Sequence, residues 1–176
     1  MQTTLATSRL QLFVLKRPFL AAFVSGRAAL SRLIAQSVPD EWPVAPELIP
    51  FVLSQLDSSP QIANWLPWAI VDRQTESLVG DAGFKGAPDD CGCCEIGYSI
   101  ISSFRQRGYA TEAVGSILTW ARRIPQIRTI RAEALESNSS SRRVFEKHGF
   151  LFAGNYDHSK DGLTRRYELS IPTEMA

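Results

Sequence analysis

A chain of 176 residues, 44% of them hydrophobic and 21% charged, has the size of one domain and apolar content enough for a buried core. Its formal net charge of +1 gives no bulk electrostatic basis for binding nucleic acid or a membrane surface, and neither is expected as a partner. The most apolar early stretch is interrupted by Lys16, Arg17 and Pro18, no run reaches spanning length and no signal peptide is evident, so a reducing, cytoplasmic setting is expected.

In chain order, Leu10, Leu12 and Val14 alternate as in a strand. Residues 18–25 and 27–37 read as short helices broken at Gly26. A proline-rich loop, 37–46, follows, and Pro50 starts or kinks a helical pattern that runs to Leu56. Residues 68–72, 78–83 and 95–101 read as three strands with short connections, hence an antiparallel meander. In the third, Ile96, Tyr98 and Ile100 share one face, and Glu95, Gly97 and Ser99 share the other. Ala110, Ala113, Val114, Ile117, Leu118 and Ala121 form one apolar helical stripe that Pro125 ends. Residues 128–134 read as a strand that this crossover helix can bring back in parallel. Asn138 caps a second helix that Gly149 stops. Residues 150–153 and 164–171 close the chain as a strand pair around a turn at Lys160, Asp161 and Gly162. No repeat or domain boundary appears, so residues 1–176 are read as a single α/β domain with a mixed sheet and helices on both faces.

Three features carry chemistry. The first is Arg105-Gln106-Arg107-Gly108-Tyr109-Ala110-Thr111, which opens the long helix. The first amides of a helix lack internal partners and sit at the positive end of its dipole. A glycine and an alanine leave the backbone bare there, so this segment can hold a pyrophosphate, with Arg105 and Arg107 pairing with its oxygens. Residues 105–143 hold eight arginines against three glutamates, an excess of +5 that suits a polyanionic ligand or simply covers solvated helix faces. The second is Cys91, Cys93 and Cys94, odd in number and crowded, with His148 and His158 far downstream. That pattern predicts reduced thiols and neither a disulfide framework nor a metal site. The third is the aromatic group Trp42, Phe51, Trp65, Trp68 and Phe84, which either lines an acceptor pocket or packs the core.

Glu95-Ile96-Gly97-Tyr98, Arg105-x-x-Gly108-x-Ala110-Thr111-Glu112-Ala113, Asn138-x-x-Ser141 and Glu146-Lys147-His148-Gly149-Phe150 occur in this order, and together they resemble the GNAT acetyltransferase superfamily. The branch most similar is that of the ribosomal-protein N-terminal alanine acetyltransferases, which Thr7-Ser8-Arg9-Leu10 also fits. The resemblance implies a central, mostly antiparallel mixed sheet splayed between its fourth and fifth strands, here residues 94–101 and 128–134. It implies acetyl-CoA in that split: pyrophosphate on the amides of Gln106 to Ala110, pantetheine arm against backbone near Ile100 and Ile101, and Asn138 touching the arm. It implies transfer of the acetyl group to a primary amine, which is a protein N-terminus, a lysine or a small amine. Many relatives are dimers, so a homodimer is one assembly it allows.

Direct transfer needs a base to free the amine, and Glu95 is the candidate, acting directly or through water. Ser141 is the candidate donor to the leaving sulfur. Many members carry a tyrosine in the second helix as general acid, whereas Phe145 stands there in this chain. That departure keeps a second reading open: a non-catalytic module that binds acetyl-CoA and regulates. Glu112 is expected to complement the helix dipole or tether the loop, and His148 to satisfy a helix C-terminus.

Overall fold

The computed structural model describes residues 4–43, 46–158 and 162–172, without the side chains of residues 48, 51, 55, 60, 61, 64, 157 and 158. Eight strands form one sheet in the order β1-β2-β3-β4-β5-β6-β8-β7. They are β1 (Thr4–Ala6), β2 (Leu10–Val14), β3 (Trp68–Asp72), β4 (Ser77–Phe84), β5 (Cys93–Ile100), β6 (Thr129–Leu135), β7 (Leu151–His158) and β8 (Gly162–Ser170). The helices are α1 (Arg17–Val24), α2 (Arg27–Ile34), α3 (Leu48–Ser58), α4 (Tyr109–Ala121) and α5 (Ser139–Lys147), with a 3-10 turn at Pro60–Trp65. Every pairing is antiparallel except β5 with β6, which the α4 crossover makes parallel.

β3 is buried at all five positions and β4 at seven of eight, as in strands covered on both faces. The α4 stripe read from the sequence is the buried face: Ala113, Val114, Ile117, Leu118 and Ala121 all lie in the core. Trp120 belongs to it as well and meets Trp68 edge to face at 4.8 Å. Of the two alternatives left open for Trp68, core packing beneath α4 is the one found.

Two helix and strand ends differ from expectation for local reasons. α2 stops at Ile34, three residues early, because Ala35 takes a left-handed backbone (φ 54). The chain then turns so that Ser37 bridges Ser77 at the start of β4. β7 runs on to His158, past a register shift between Phe152 and Gly154. In the predicted closing turn, Lys160 and Asp161 lie outside the described residues.

Candidate active site

β5 and β6 pair only from Cys93 opposite Thr129 to Ile96 opposite Ala132. Beyond that point, β5 stays on β4 and β6 on β8, so the sheet parts between Gly97–Ile100 and Glu133–Leu135. The phase of the ladder decides which backbone groups face the parting. Lys85 N–H donates to the Glu95 carbonyl and Ile101 N–H to the Val79 carbonyl (2.8 and 3.0 Å). Odd-numbered residues of this segment therefore turn their backbone groups to β4, and Tyr98 and Ile100 turn theirs into the split. This corrects Ile101: its amide is taken by Val79 and its carbonyl accepts from Phe104 N–H, leaving Ile100 and the unanticipated Tyr98 as the strand groups available. The Ile100 carbonyl also accepts from Arg105 Nε at 2.9 Å.

A cleft of about 780 Å³ occupies the parting. Ile100, Arg105, Gln106, Gly108, Tyr109, Ala110, Thr111, Asn138 and Ser141 all line it. So do Arg143 and Lys147, and no carboxylate is among the lining residues described. Gln106 (φ 61) and Gly108 (φ 79) are both left-handed, which turns the loop back so that α4 begins directly on the cleft. The first helical N–H groups have no intrahelical acceptor. A diphosphate with a long apolar arm fits this geometry and this charge. Arg107 is corrected: it does not line the cleft. The two left-handed residues beside it send its guanidinium outward, over the Phe104 ring (4.8 Å) and onto the Ser103 carbonyl (2.9 Å).

The loop is held from behind. Glu112 accepts from Thr7 Oγ1, Ser8 Oγ, Arg9 N–H and the Arg9 guanidinium, which also donates to the Arg107 carbonyl. Arg9 lies 4.8 Å over the Tyr109 ring, and Tyr109 Oη donates to buried Asp72 at 2.5 Å. Thus Thr7-Ser8-Arg9 is a clamp on the first turn of α4, and Glu112 is its anchor. Burial opposes ionisation of Glu112, but the bonds from Thr7 and Arg9 outweigh it and hold the carboxyl below its ordinary value.

On the opposite wall, Asn138 Oδ1 accepts from Ser141 N–H at 3.1 Å and caps α5. Tyr98 Oη donates to Ser141 Oγ at 3.1 Å. A hydroxyl that accepts in this way keeps its own proton to donate elsewhere. Burial raises the Tyr98 pKa more than the Ser141 bond lowers it, so the phenol stays protonated. Its ring meets Phe145 edge to face at 6.1 Å. A phenol from β5 therefore stands beside the position where α5 lacks one. Sequence reading missed Tyr98 by placing it in an apolar row.

A second space, of about 670 Å³, lies on the other side of that wall, and Tyr98, Ser99, Asn138 and Ser141 border both. Its sides are largely apolar, with Leu20, Trp42, Ile49, Val52, Trp65 and Phe84 among them. Trp42, Trp65 and Phe84 thus line a pocket, and the Phe51 side chain is outside those described. Asp81 of β4 also lines it. Directly across the ladder, Ser99 Oγ donates to Asp81 Oδ1, and Trp42 Nε1 donates to Oδ2, both at 3.0 Å. Burial pushes the Asp81 carboxyl above its ordinary value, more than these two bonds lower it. The signal was a lone carboxylate inside the apolar run Leu78 to Phe84. Glu95, the expected base, is corrected: its side chain is 26% exposed, ion-paired with Lys85, and lines neither space.

His148 closes its own helix, as expected, its backbone N–H donating to the Phe145 carbonyl at 3.0 Å, and its ring reaches across to α4. Its Nε2 carries the proton and donates to the Thr111 carbonyl at 2.8 Å. Among the described residues, no group of three His, Cys, Asp or Glu side chains is placed to hold a metal ion. Burial pushes the Cys94 thiol up to about 12, far from the thiolate a soft metal would want.

The family profile described as "Acetyltransferase (GNAT) domain" matches residues 27–151. The chain is 30% identical over 159 residues to the "Uncharacterized N-acetyltransferase YjdG" of Bacillus subtilis (strain 168), a match covering 88% of this chain and 95% of that one. Among solved structures, it is similar in fold to RimL, a ribosomal L7/L12 alpha-N-protein acetyltransferase in complex with coenzyme A. There the TM-score is 0.72 at 15% identity, over 97% of this chain and 99% of that one. It is also similar to the ribosomal-protein-S5-alanine acetyltransferase of Vibrio fischeri, with a TM-score of 0.74 at 16% identity over 99% and 100%. With a parted mixed sheet, a bare helix start on the parting and a profile match over most of its length, the chain belongs to the GNAT acetyltransferase family and is an acetyl-CoA-dependent acyltransferase.

Proposed function

We propose that this protein acetylates the nitrogen of a primary amine by direct attack, with the donor in the cleft and the acceptor in the aromatic cavity. The single observation that carries this reading is the wall of Tyr98, Ser99, Asn138 and Ser141 common to the two spaces. Acetyl-CoA supplies an electrophilic thioester carbonyl and a thiolate leaving group. The amides at the start of α4, from Gln106 to Thr111, hold its diphosphate, and Arg105, Arg143 and Lys147 add charge. Backbone groups of Ile100 and Tyr98 flank the arm, and Asn138 borders it.

Asp81 takes the proton from the acceptor ammonium, directly or through Ser99, whose hydroxyl it already binds. Its raised pKa narrows the gap between carboxylate and ammonium, which makes the transfer easier. Backbone N–H groups of β5 at the parting face the developing oxyanion. Ser141 gives its proton to the sulfur, Tyr98 replaces it along the hydrogen bond it donates, and solvent returns a proton to the phenol as CoA leaves. This pair supplies the hydroxyl that Phe145 lacks, and so favours an enzyme over a silent acetyl-CoA sensor.

The reading also places the protein in the cytoplasm, where acetyl-CoA is available. Among the described residues, no helix is long and apolar enough to cross a membrane. A homodimer is supported by the outermost strand β7, which leaves Leu151 and Phe152 exposed. The deciding experiment offers amines and short peptides with acetyl-CoA and reads free CoA thiol. Release that depends on an amine supports the transferase, whereas tight donor binding with no release from any amine would favour the sensor.

A further inference from the structure

The chemistry of the aromatic cavity narrows the acceptor. Resting on the transferase reading above, we infer that the acceptor is a small apolar primary amine, such as an arylalkylamine, whose ammonium pairs with Asp81 and whose hydrocarbon body fills the cavity.

The volume, about 670 Å³, is in the range of sites that enclose small organic ligands. Leu20 of α1, Ile49 and Val52 of α3, and Ile62, Trp65 and Phe84 are among the apolar residues that line it. Among the described residues that line it, three carry charge: Asp81, Lys85 and Glu133. Lys85 is already paired with Glu95, and Glu133 with Arg166 at 2.8 Å. Asp81 differs from both. Its two oxygens are held by neutral donors, Ser99 Oγ and Trp42 Nε1, which orient the carboxylate without cancelling its charge. An anion in an apolar setting lacking a counter-charge is costly, and its raised pKa has that origin. An ammonium is the complement such a site calls for.

One uncompensated carboxylate selects a monoamine. The second ammonium of a polyamine would have to lie against carbon, and Glu133 is held by Arg166. A peptide N-terminus would bring amide groups past Ile49, Val52 and Ile62, which offer no hydrogen bonds to replace water. The backbone of Trp42 is itself fixed, since Arg27 donates to its carbonyl and to that of Pro39, so the indole that orients Asp81 is preset.

The test has a binding arm and a turnover arm. Without donor, the protein is titrated with 2-phenylethylamine and with 2-phenylethanol, which has the same shape and no charge, and the fluorescence of wall residues Trp42 and Trp65 is followed. The amine is expected to bind about tenfold or more tighter than the alcohol. D81N, confirmed as folded by its thermal response to acetyl-CoA, is expected to erase that preference. Equal binding of the two compounds to the wild type overturns the inference even if the variant does not fold, and so does a preference that survives in D81N. In the turnover arm, CoA thiol release is compared for 2-phenylethylamine, tryptamine, spermidine and an alanine-initiated peptide. The first two are expected to lead in kcat/KM. Release with spermidine or the peptide alone upholds the transferase and overturns this acceptor class. Release with none overturns the transferase reading and the acceptor with it.

Discussion

The backbone amide and guanidinium of Arg9 both donate to Glu112, at 3.0 Å through N–H and 2.6 Å through Nε, which ties the β1–β2 turn to the first turn of α4. E112Q removes the charge and keeps the shape. It should cost about 2 kcal/mol, as for hydrogen bonds to a charged group. It should also raise KM for acetyl-CoA more than it lowers kcat, because the loop and not the reacting centre is loosened. Thermal unfolding and steady-state kinetics check the two halves separately.

The same clamp makes a signed pH prediction. The Glu112 carboxyl lies below its ordinary value of 4.5 in the folded chain, so its contribution is complete above that pH and fades as pH falls through the lower, folded value. Asp72, buried but held below 3.8 by Tyr109 Oη and the Gln74 amide, acts in the same direction. The melting temperature should therefore drop on acidification below about 4.5. E112Q should show a shallower drop with a residue of slope left by Asp72. An acid profile identical in the two proteins would remove Glu112 from the account.

G108E should abolish donor binding. Gly108 has φ 79, where an L side chain is strained, and a Cβ there would lie 3.4 Å from the Arg9 guanidinium, so the change distorts the loop that edges the cleft and sets a negative charge beside it. Isothermal titration with CoA reads the loss. Unchanged affinity would separate the bare helix start from donor recognition.

Y98F and S141A should each lower kcat while leaving KM for acetyl-CoA near the wild-type value. Proton transfer of this kind contributes about 10²-fold or more. The double variant should be little worse than the more damaging single one, since the two hydroxyls form one path. Multiplicative losses would mean that they act apart.

The acid limb of kcat/KM should lie above the ordinary Asp value of 3.8, since burial raises Asp81. The charged groups sharing its cavity, Lys85 and Glu133, are each paired away. E95Q should retain that limb, and a limb that moves in E95Q would restore Glu95 as the base.

Much of this architecture could be read from residue patterns alone. The apolar stripe of α4, the caps at Asn138 and Gly149, and the bare turn at Gly108 are local signals, and local physics settles them. What was misread depends on phase or on partners distant in the chain. Ile101 lies next to Ile100, yet strand alternation sends its amide to Val79. Arg107 lies next to Gly108, yet two left-handed residues turn it away from the cleft. Tyr98 shares a row with Ile96 and Ile100, and its hydroxyl matters only because α5 brings Ser141 to it. Asp81 and Glu95 are both strand carboxylates. Which one is solvated and which lines the cavity is decided by neighbours far apart in the sequence, Lys85 for the one and Trp42 for the other.

A last test concerns packing behind the loop. A Cβ at Gly115 would lie 2.9 Å from Cε1 of His148, whose ring is pinned by its bond to the Thr111 carbonyl. G115A should therefore destabilise the protein, although alanine ordinarily favours a helix by about 1 kcal/mol over glycine. In an H148A background the clash is gone, and the same change should stabilise. Denaturant unfolding of the four proteins reads the reversal of sign.

The partition made by Tyr98, Ser99, Asn138 and Ser141 has an energetic corollary. If the donor and the amine rest on opposite sides of these four side chains, as proposed, either one that shifts a shared side chain alters the affinity of the other. By reciprocity, any factor by which the donor tightens the amine is the factor by which the amine tightens the donor. A single molecule that joins an amine to CoA through the acyl carbon would straddle the partition, occupying both spaces for one loss of translational freedom.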